Sequence, residues 1–282
     1  MDLRIATPRN RRIRVYAGHR LAAAYTITDW RPYVYPLLTP SGFAVTDEAP
    51  ADHPYHQSVW ISHQLVNGHT FWINGDAKIG GPTPAFGVEE LPDGSAAVFR
   101  HDLVWRGPDG VPVLSERRVT AVTPTPQATL VDVLSERRPE AGAVEFGATK
   151  EAGFGIRVHD SLNEDAGGTL VNDRGQKGEA GTFDQDADWI DYWGQPGDHA
   201  AGLALFPNPA NPRHPWFTRS YGIVLANHHR TRPQTLPPGE VLRLSWRVAA
   251  HDESTEAAGV PGLYARYLAV LQEGLLDVLA GQ

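Results

Sequence analysis

The 282-residue chain contains no cysteine and a single methionine. Without cysteine there are no disulfides, thiolate zinc sites, iron–sulfur clusters or cysteine nucleophile, a usage that suits a reducing compartment. Any metal has to sit on histidines and carboxylates. No window approaches about 18 uninterrupted apolar residues and the basic N-terminus lacks the apolar core of a secretory signal, so the expected location is cytoplasmic, with no membrane contact. Basic residues are outnumbered, 25 Lys and Arg against 33 Asp and Glu, and the net charge of -8 argues against nucleic acid as a partner. A GxGxxG fingerprint, a P-loop, a GxSxG elbow and a lysine–serine arrangement are all missing. Neither a nucleotide cofactor nor a serine acyl-enzyme is expected.

Glycine and proline are plentiful instead, 28 and 23 residues spread along the chain, which implies many turns and few long helices. Most periodic segments are short and alternate with period two, as strands with one buried face do. Over 155–162, Ile156, Val158 and Leu162 share a face with Asp160, and Arg157, His159 and Ser161 share the other. Over 241–248, Leu242, Leu244, Trp246 and Val248 alternate with Arg243, Ser245 and Arg247 after a Pro237-Pro238-Gly239 turn, a half-buried strand. Leu130 and Leu134 make the 130–136 strand apolar on both sides, so it belongs nearer a sheet centre. Turn clusters such as Pro92-Asp93-Gly94 and Gly107-Pro108-Asp109-Gly110 suit hairpins and a mostly antiparallel topology. The string VLSERR, at 113–118 and again at 133–138, reads as two neighbouring strands of similar pattern.

From 261 to 280 the spacing is helical: Tyr264, Tyr267, Leu268, Leu271, Leu275, Val278 and Leu279 recur on one side, with Pro261 placed for a first turn. This amphipathic helix should cover a sheet edge or end, or form a dimer contact, leaving monomer and homodimer both open. No linker divides the chain. The expected fold is all-β, one large antiparallel β-sandwich domain over 1–282 with 261–280 as a C-terminal helix packed on it.

The densest polar segment runs from Asp52 to His63 and holds His53, His56 and His63. Imidazole suits proton transfer near neutral pH and also transition-metal binding. Positions three apart point to opposite faces of a strand, so His53 and His56 converge only if Pro54 keeps that stretch a loop. If a strand starts near Gln57, then Gln57, Val59, Ile61 and His63 share one face, with Ser58, Trp60 and Ser62 on the other. His53 and His56 are thus candidates for acid–base or substrate-binding roles, for ligation of one divalent ion, or for simple loop capping. Lys150-Glu151, ahead of a strand bearing Arg157 and His159, offers a general base with cationic neighbours, or merely a surface ion pair. Three prolines stiffen the Asn208–Trp216 loop, which holds Asn211, Arg213 and His214 ready to bind a ligand or to serve the fold alone. Trp189, Asp191, Tyr192 and Trp193 mix aromatic faces with carboxylates, as sugar sites do; Trp189 fits a core and Trp193 a stacking platform.

Taken in order, RPYVYPLLTPSG, DHPYHQSVWISHQLVNGHTFW, TKEAGFGIRVHDSL, WIDYWG and NPANPRHPWFTRSYGIVLAN resemble the PmoA-like family of bacterial proteins of unknown function (DUF6807-type) from about Arg31 to Asp252. The DHPxH element and the NPxNPRHP loop are its most specific pieces. Many relatives read DHPHHR where Tyr55 and Gln57 stand here, which argues against an indispensable role for these two side chains. The family label refers to a methane oxygenase, an integral-membrane copper enzyme, and a chain without a membrane span does not fit that chemistry. The resemblance implies instead a sugar-catabolic setting and a large sandwich like those of aldose epimerases, a fold-level analogy that assigns no residue.

The function expected from residues and resemblance together is proton-transfer chemistry on a sugar or oxidised sugar: epimerisation, elimination or hydration. His53, His56, Glu151, His159 and His214 are the candidate catalytic residues. Lys150, Arg157, Trp193, Asn211 and Arg213 are the candidate substrate contacts. Two alternatives are a non-catalytic carbohydrate-binding protein and a cupin-like metal-dependent oxygenase.

Overall fold

Alternating strands build two antiparallel sheets in the computed structural model, which describes residues 2–7 and 10–281. The front sheet has eight strands in the spatial order Leu3–Ile5, Arg12–Ala17, Arg20–Thr26, Tyr33–Leu37, Val59–His63, Ala152–Arg157, Ile223–Ala226 and Phe217–Arg219. The rear sheet follows the order Thr169–Asn172, Ile190–Gly194, Ala201–Pro207, Leu242–Asp252, Ala128–Pro139, Pro112–Pro124, Gly94–Arg106 and Lys78–Gly80, and Ala85–Leu91 also pairs with Gly94–Arg106. A small ribbon, Val144–Phe146 with Gln234–Leu236, stands apart.

The sheets share one apolar layer. Ile13, Val59, Ile61, Phe154 and Ile156 of the front meet Phe99, Val131, Leu244, Trp246 and Val248 of the rear, and Phe154 stacks on Trp246 with ring centroids 4.8 Å apart. The fold is therefore the expected all-β sandwich. Period-two alternation leaves each sheet a second face, and both are covered. Helices α2 (Val260–Gln272) and α3 (Leu275–Ala280) bury Tyr267, Val270, Leu275 and Leu279 on Val98, Leu130 and Phe206 of the rear sheet; α1 (Gly178–Thr182) is a single short turn. Tyr33, Trp60, Trp72, Phe217, Ile223 and Leu225 form an aromatic layer on the outer face of the front sheet.

Three local expectations need correction. The C-terminal helix is broken at Gly274, whose φ of 88° lies in the left-handed region, so the chain re-enters as a second helix. The strand near 155 ends at Arg157, and Asp160–Leu162 forms a 3₁₀ turn capped by His159 Nδ1, although Ile156, Val158 and Leu162 do share the core face. The 242–252 strand is covered on both faces, because the helices lie over its polar side and Arg247 sits beneath the Tyr267 ring. The 128–139 strand is central, as its two apolar faces require.

The two VLSERR copies pair directly, Ser135 opposite Arg118 and Glu136 opposite Arg117. Their side chains make one buried network. Glu116 accepts hydrogen bonds from Arg118 (2.7 and 2.8 Å), Ser135 Oγ (2.7 Å) and Trp105 Nε1 (2.8 Å), and Ser135 Oγ accepts from Arg137 Nε (3.1 Å). Burial pushes the Glu116 carboxyl up, but these donors outweigh it and hold the group down at about 2. No helix among the described residues is long and apolar enough to cross a membrane.

Candidate functional site

The turn at 50–57 sits on the outer aromatic face of the front sheet. Backbone bonds close it: His53 N to Pro50 O, His56 N to His53 O, and Ala49 N to His56 O. The turn is bracketed by Ala49 and Ser58, non-glycine residues with φ of 51° and 55°. Ser58 has a further effect. A left-handed residue just before a strand interrupts its alternation, so Gln57 leaves the core-facing row of Val59 and Ile61 and approaches Asn74 (3.5 Å).

Within this turn the rings of His53 and His56 stack at 4.5 Å and 8°. His53 also lies parallel to Tyr221 (4.7 Å, 11°), and His56 packs over Trp60 (5.6 Å) and against the edge of Trp72 (5.7 Å). His53 Nδ1 lies 2.8 Å from Asp52 Oδ2. A carboxylate only accepts, so Nδ1 carries a proton, which in the neutral ring leaves the lone pair on Nε2. Asp52 also accepts from Arg157 Nη2 at 3.0 Å, as does Asp160 at 2.9 Å, and the guanidinium carbon stands 5.2 Å from the Tyr221 ring centroid. The slight burial of Asp52 acts upward on its carboxyl, and the hydrogen bonds and charges of His53 and Arg157 outweigh it and lower it. For His56, burial first and then the charges of His53 and Arg157 push the imidazole down to about 3, so it is neutral at physiological pH.

Buried polar atoms gather here without partners: Arg31 Nε, His56 Nδ1, Gln57 Oε1, Trp60 Nε1, and Arg157 Nε and Nη1. Arg31 is fully buried; its Nη1 donates to Tyr55 O (3.3 Å) and its Nη2 to Asn74 Oδ1 (2.9 Å). Among the described residues it has no carboxylate within ion-pair distance. Native proteins satisfy nearly all buried donors and acceptors with protein groups, ordered water or ligand, so this concentration makes the turn the candidate site.

The other sequence candidates lie elsewhere. His159 caps the turn after Arg157, its Nδ1 2.8 Å from Ser161 Oγ and its Nε2 3.8 Å from Asp47. Glu151 and the exposed Lys150 stand at the far end of the Ala152–Arg157 strand, about 20 Å from Arg157 at roughly 3.3 Å per residue. Trp193 faces away from the core that holds its neighbours Ile190 and Tyr192, on the rear sheet; Trp189 is in the core beneath the helices. Asn211 has its amide taken up by Ser245, donating to its carbonyl (2.7 Å) and accepting from its N–H (3.1 Å). Arg213 is exposed and paired with Asp188 (2.7 Å), and with His214 it borders a cavity of about 170 Å³ reaching Tyr264. Burial lowers His214 to about 4.

A second histidine group, outside the expected set, lies by the small ribbon. His63 and His229 meet at 5.1 Å, His228 and His229 at 3.8 Å, and His229 stacks flat on Phe146 (4.9 Å, 3°). His63 Nδ1 accepts from Leu65 N (3.0 Å), leaving the proton on Nε2. No group of three or more His, Asp or Glu side chains among the described residues is arranged to hold a metal ion. The stacked rings of His53 and His56 keep their nitrogens in separate parallel planes, so they do not converge on one ion either.

Sequence reasoning did not single out Arg31, Trp72, Asn74 or Tyr221 as site residues. Arg31 adjoined a motif, but nothing local told a buried arginine from a surface one; Tyr221 reaches the site only through pairing of Ile223–Ala226 with Ala152–Arg157.

The profile of the family described as "Family of unknown function (DUF6807)" matches residues 12–265. No curated protein matches the chain. A solved structure titled "Putative kojibiose phosphorylase from human microbiome" superposes with a TM-score of 0.36 at 5% identity, covering 66% of this chain and 23% of its own. The chain spans about a quarter of that structure's length, and so slight a likeness bears on neither fold nor activity.

Proposed function

Because the chain belongs to DUF6807, a family of unknown function, we propose its activity from the site: proton-transfer chemistry on a sugar or oxidised sugar, carried out in the basin around His53, His56 and Arg157. The observation that carries this reading is the pair of stacked imidazoles set among buried donors that nothing in the protein satisfies. His53, oriented by Asp52 as a base is oriented by its carboxylate in catalytic triads, has its Nε2 lone pair free for a proton when the ring is neutral. His56, held neutral by burial, either takes a proton or donates a hydrogen bond. Arg157 and Trp60 supply N–H groups to a carbonyl oxygen that gathers negative charge as a neighbouring C–H loses its proton. The partly exposed Tyr221 ring, backed by the buried Trp60 and Trp72, offers an apolar surface against which the C–H face of a sugar can pack.

The test is proton exchange. Sugars and sugar acids incubated with the protein in D₂O are followed by NMR for loss of a C–H signal or appearance of a new product. Turnover should fall by roughly 100-fold to 10,000-fold in His53→Gln and in His56→Gln. Unchanged exchange in both variants would remove the pair from the chemistry. The aromatic layer also favours a second reading, a carbohydrate-binding protein, in which a ligand binds and no product or exchange ever follows.

A further inference from the structure

The charges around the basin do not balance in a uniform way. Arg157 faces two carboxylates, Asp52 and Asp160. Arg31 faces none among the described residues; its guanidinium is fully buried, two nitrogens are held by a backbone carbonyl and a neutral amide, and Nε has no partner. Burial lowers it only to about 9, with Tyr33 acting the other way, so it is a cation at neutral pH. A buried charge without a counter-charge is strongly unfavourable and persists where something outside the chain supplies the missing charge. Arg31 adjoins the site through both its bonds. Tyr55 O belongs to the residue before His56, and Asn74 Oδ1 also receives Gln57 Nε2.

We propose that the ligand of this basin bears a carboxylate, as aldonic and uronic acids do, and that Arg31 binds it with the free nitrogens of Arg157. The proposal rests on the sugar-site reading above and narrows its substrate class. Arg31 and Arg157 cancel Asp52 and Asp160 in number, but both carboxylates lie on Arg157, so the charge missing beside Arg31 is a single negative one. A phosphate dianion would bring a second charge toward two carboxylates, so a carboxylate fits better. The donors lie beneath the 50–57 turn, whose Pro54 is exposed, so binding requires that turn to lift.

Thermal shift and calorimetry on the full chain test this with D-glucuronate, D-galacturonate and D-gluconate, the neutral sugars D-glucose and D-galactose, and D-glucose 6-phosphate. The acids should bind about 100-fold more tightly than the neutral sugars, the discrimination expected where a charged hydrogen-bonding group loses its partner. In Arg31→Met that preference should disappear while the ligand-free variant melts no lower than the parent, since an uncompensated charge has been replaced by an apolar chain. Equal binding of acids and neutral sugars would overturn the carboxylate while leaving the sugar site standing. Preference for the phosphate would overturn it in favour of a dianion. Binding of none of these compounds would overturn both readings. An Arg31→Met chain that fails to fold leaves the selectivity of the parent protein to decide.

Discussion

Small residues decide how far large ones can reach into the basin, and Gly155 is the clearest example. A Cβ at this position would lie 2.9 Å from Leu225 Cδ2 and 3.0 Å from two ring carbons of Trp60. Trp60 is the floor on which His56 rests, and it packs among buried rings with little room to retreat. Gly155→Ala should therefore destabilise the fold by about 1–3 kcal/mol, the usual cost of overpacking, and should also weaken ligand binding through the displaced indole. Urea unfolding and titration of Trp fluorescence would check both; a variant as stable as the parent would show that the indole yields freely. At this scale the sequence was partly legible. Pro54 signalled a loop in which His53 and His56 could meet, because proline is hard to place inside a strand. The left-handed Ser58, which turns Gln57 toward Asn74, left no sign, since serine is not a residue that advertises positive φ.

Elements explain why the expected site residues separate. Glu151 and Arg157 were read together because they are near in sequence, but an extended strand carries them to opposite ends. The Pro-rich loop at 208–216 reads as a ligand loop for its rigidity, and the same rigidity is used to fasten it: Asn211 imitates a strand partner for Ser245, and Asn208 Nδ2 donates to Ser245 Oγ at 2.8 Å. Removing both bonds in Asn211→Ala should cost about 1–3 kcal/mol at a net contribution near 1 kcal/mol per bond, plus the cost of leaving the strand groups unmet. Activity per folded molecule should not change, in contrast with the His53 and His56 variants. A large fall in turnover at unchanged melting temperature would return Asn211 to the substrate. The strands themselves were legible wherever one face was core and the other polar, as in Leu242–Asp252. Its polar face gave no hint of the covering helices, because Arg243, Ser245 and Arg247 look alike whether they meet water or a packed helix.

Over the whole molecule the unusual quantity is the number of imidazoles kept neutral by burial. His56 is pushed down to about 3, His63 to about 2, and His101, His214 and His229 to about 4, with His228 lowered as well and burial the leading cause for each; of the six, His56, His63, His101 and His229 are nearly inaccessible to water. In the unfolded chain each takes up a proton near 6.5. The folded pKa values are depressed, so between 6.5 and about 4 the unfolded state binds more protons than the folded state, and stability falls as pH falls through that window. Each such group contributes a slope of about 1.4 kcal/mol per pH unit once the pH is well below 6.5. Glu116, held at about 2, adds to the loss below its ordinary 4.5. His251 has the opposite shift, raised because Asp191 at 2.9 Å outweighs its burial. Its contribution is complete below 6.5 and fades only at higher pH, so it does not oppose the acid transition. A domain stability of about 5–15 kcal/mol is consumed within two or three pH units by four such groups, which places acid unfolding above about pH 4. Urea denaturation from pH 8 to pH 4 should show the unfolding free energy falling most steeply between 6 and 4.5, with three or more protons taken up on unfolding. His101→Gln should flatten that slope by about one proton without touching the basin, because His101 packs against Tyr25 on the core side of the front sheet. A protein as stable at pH 4 as at pH 7 would mean that these histidines are reached by water and that the dry interior holding His56 neutral for its chemistry does not exist.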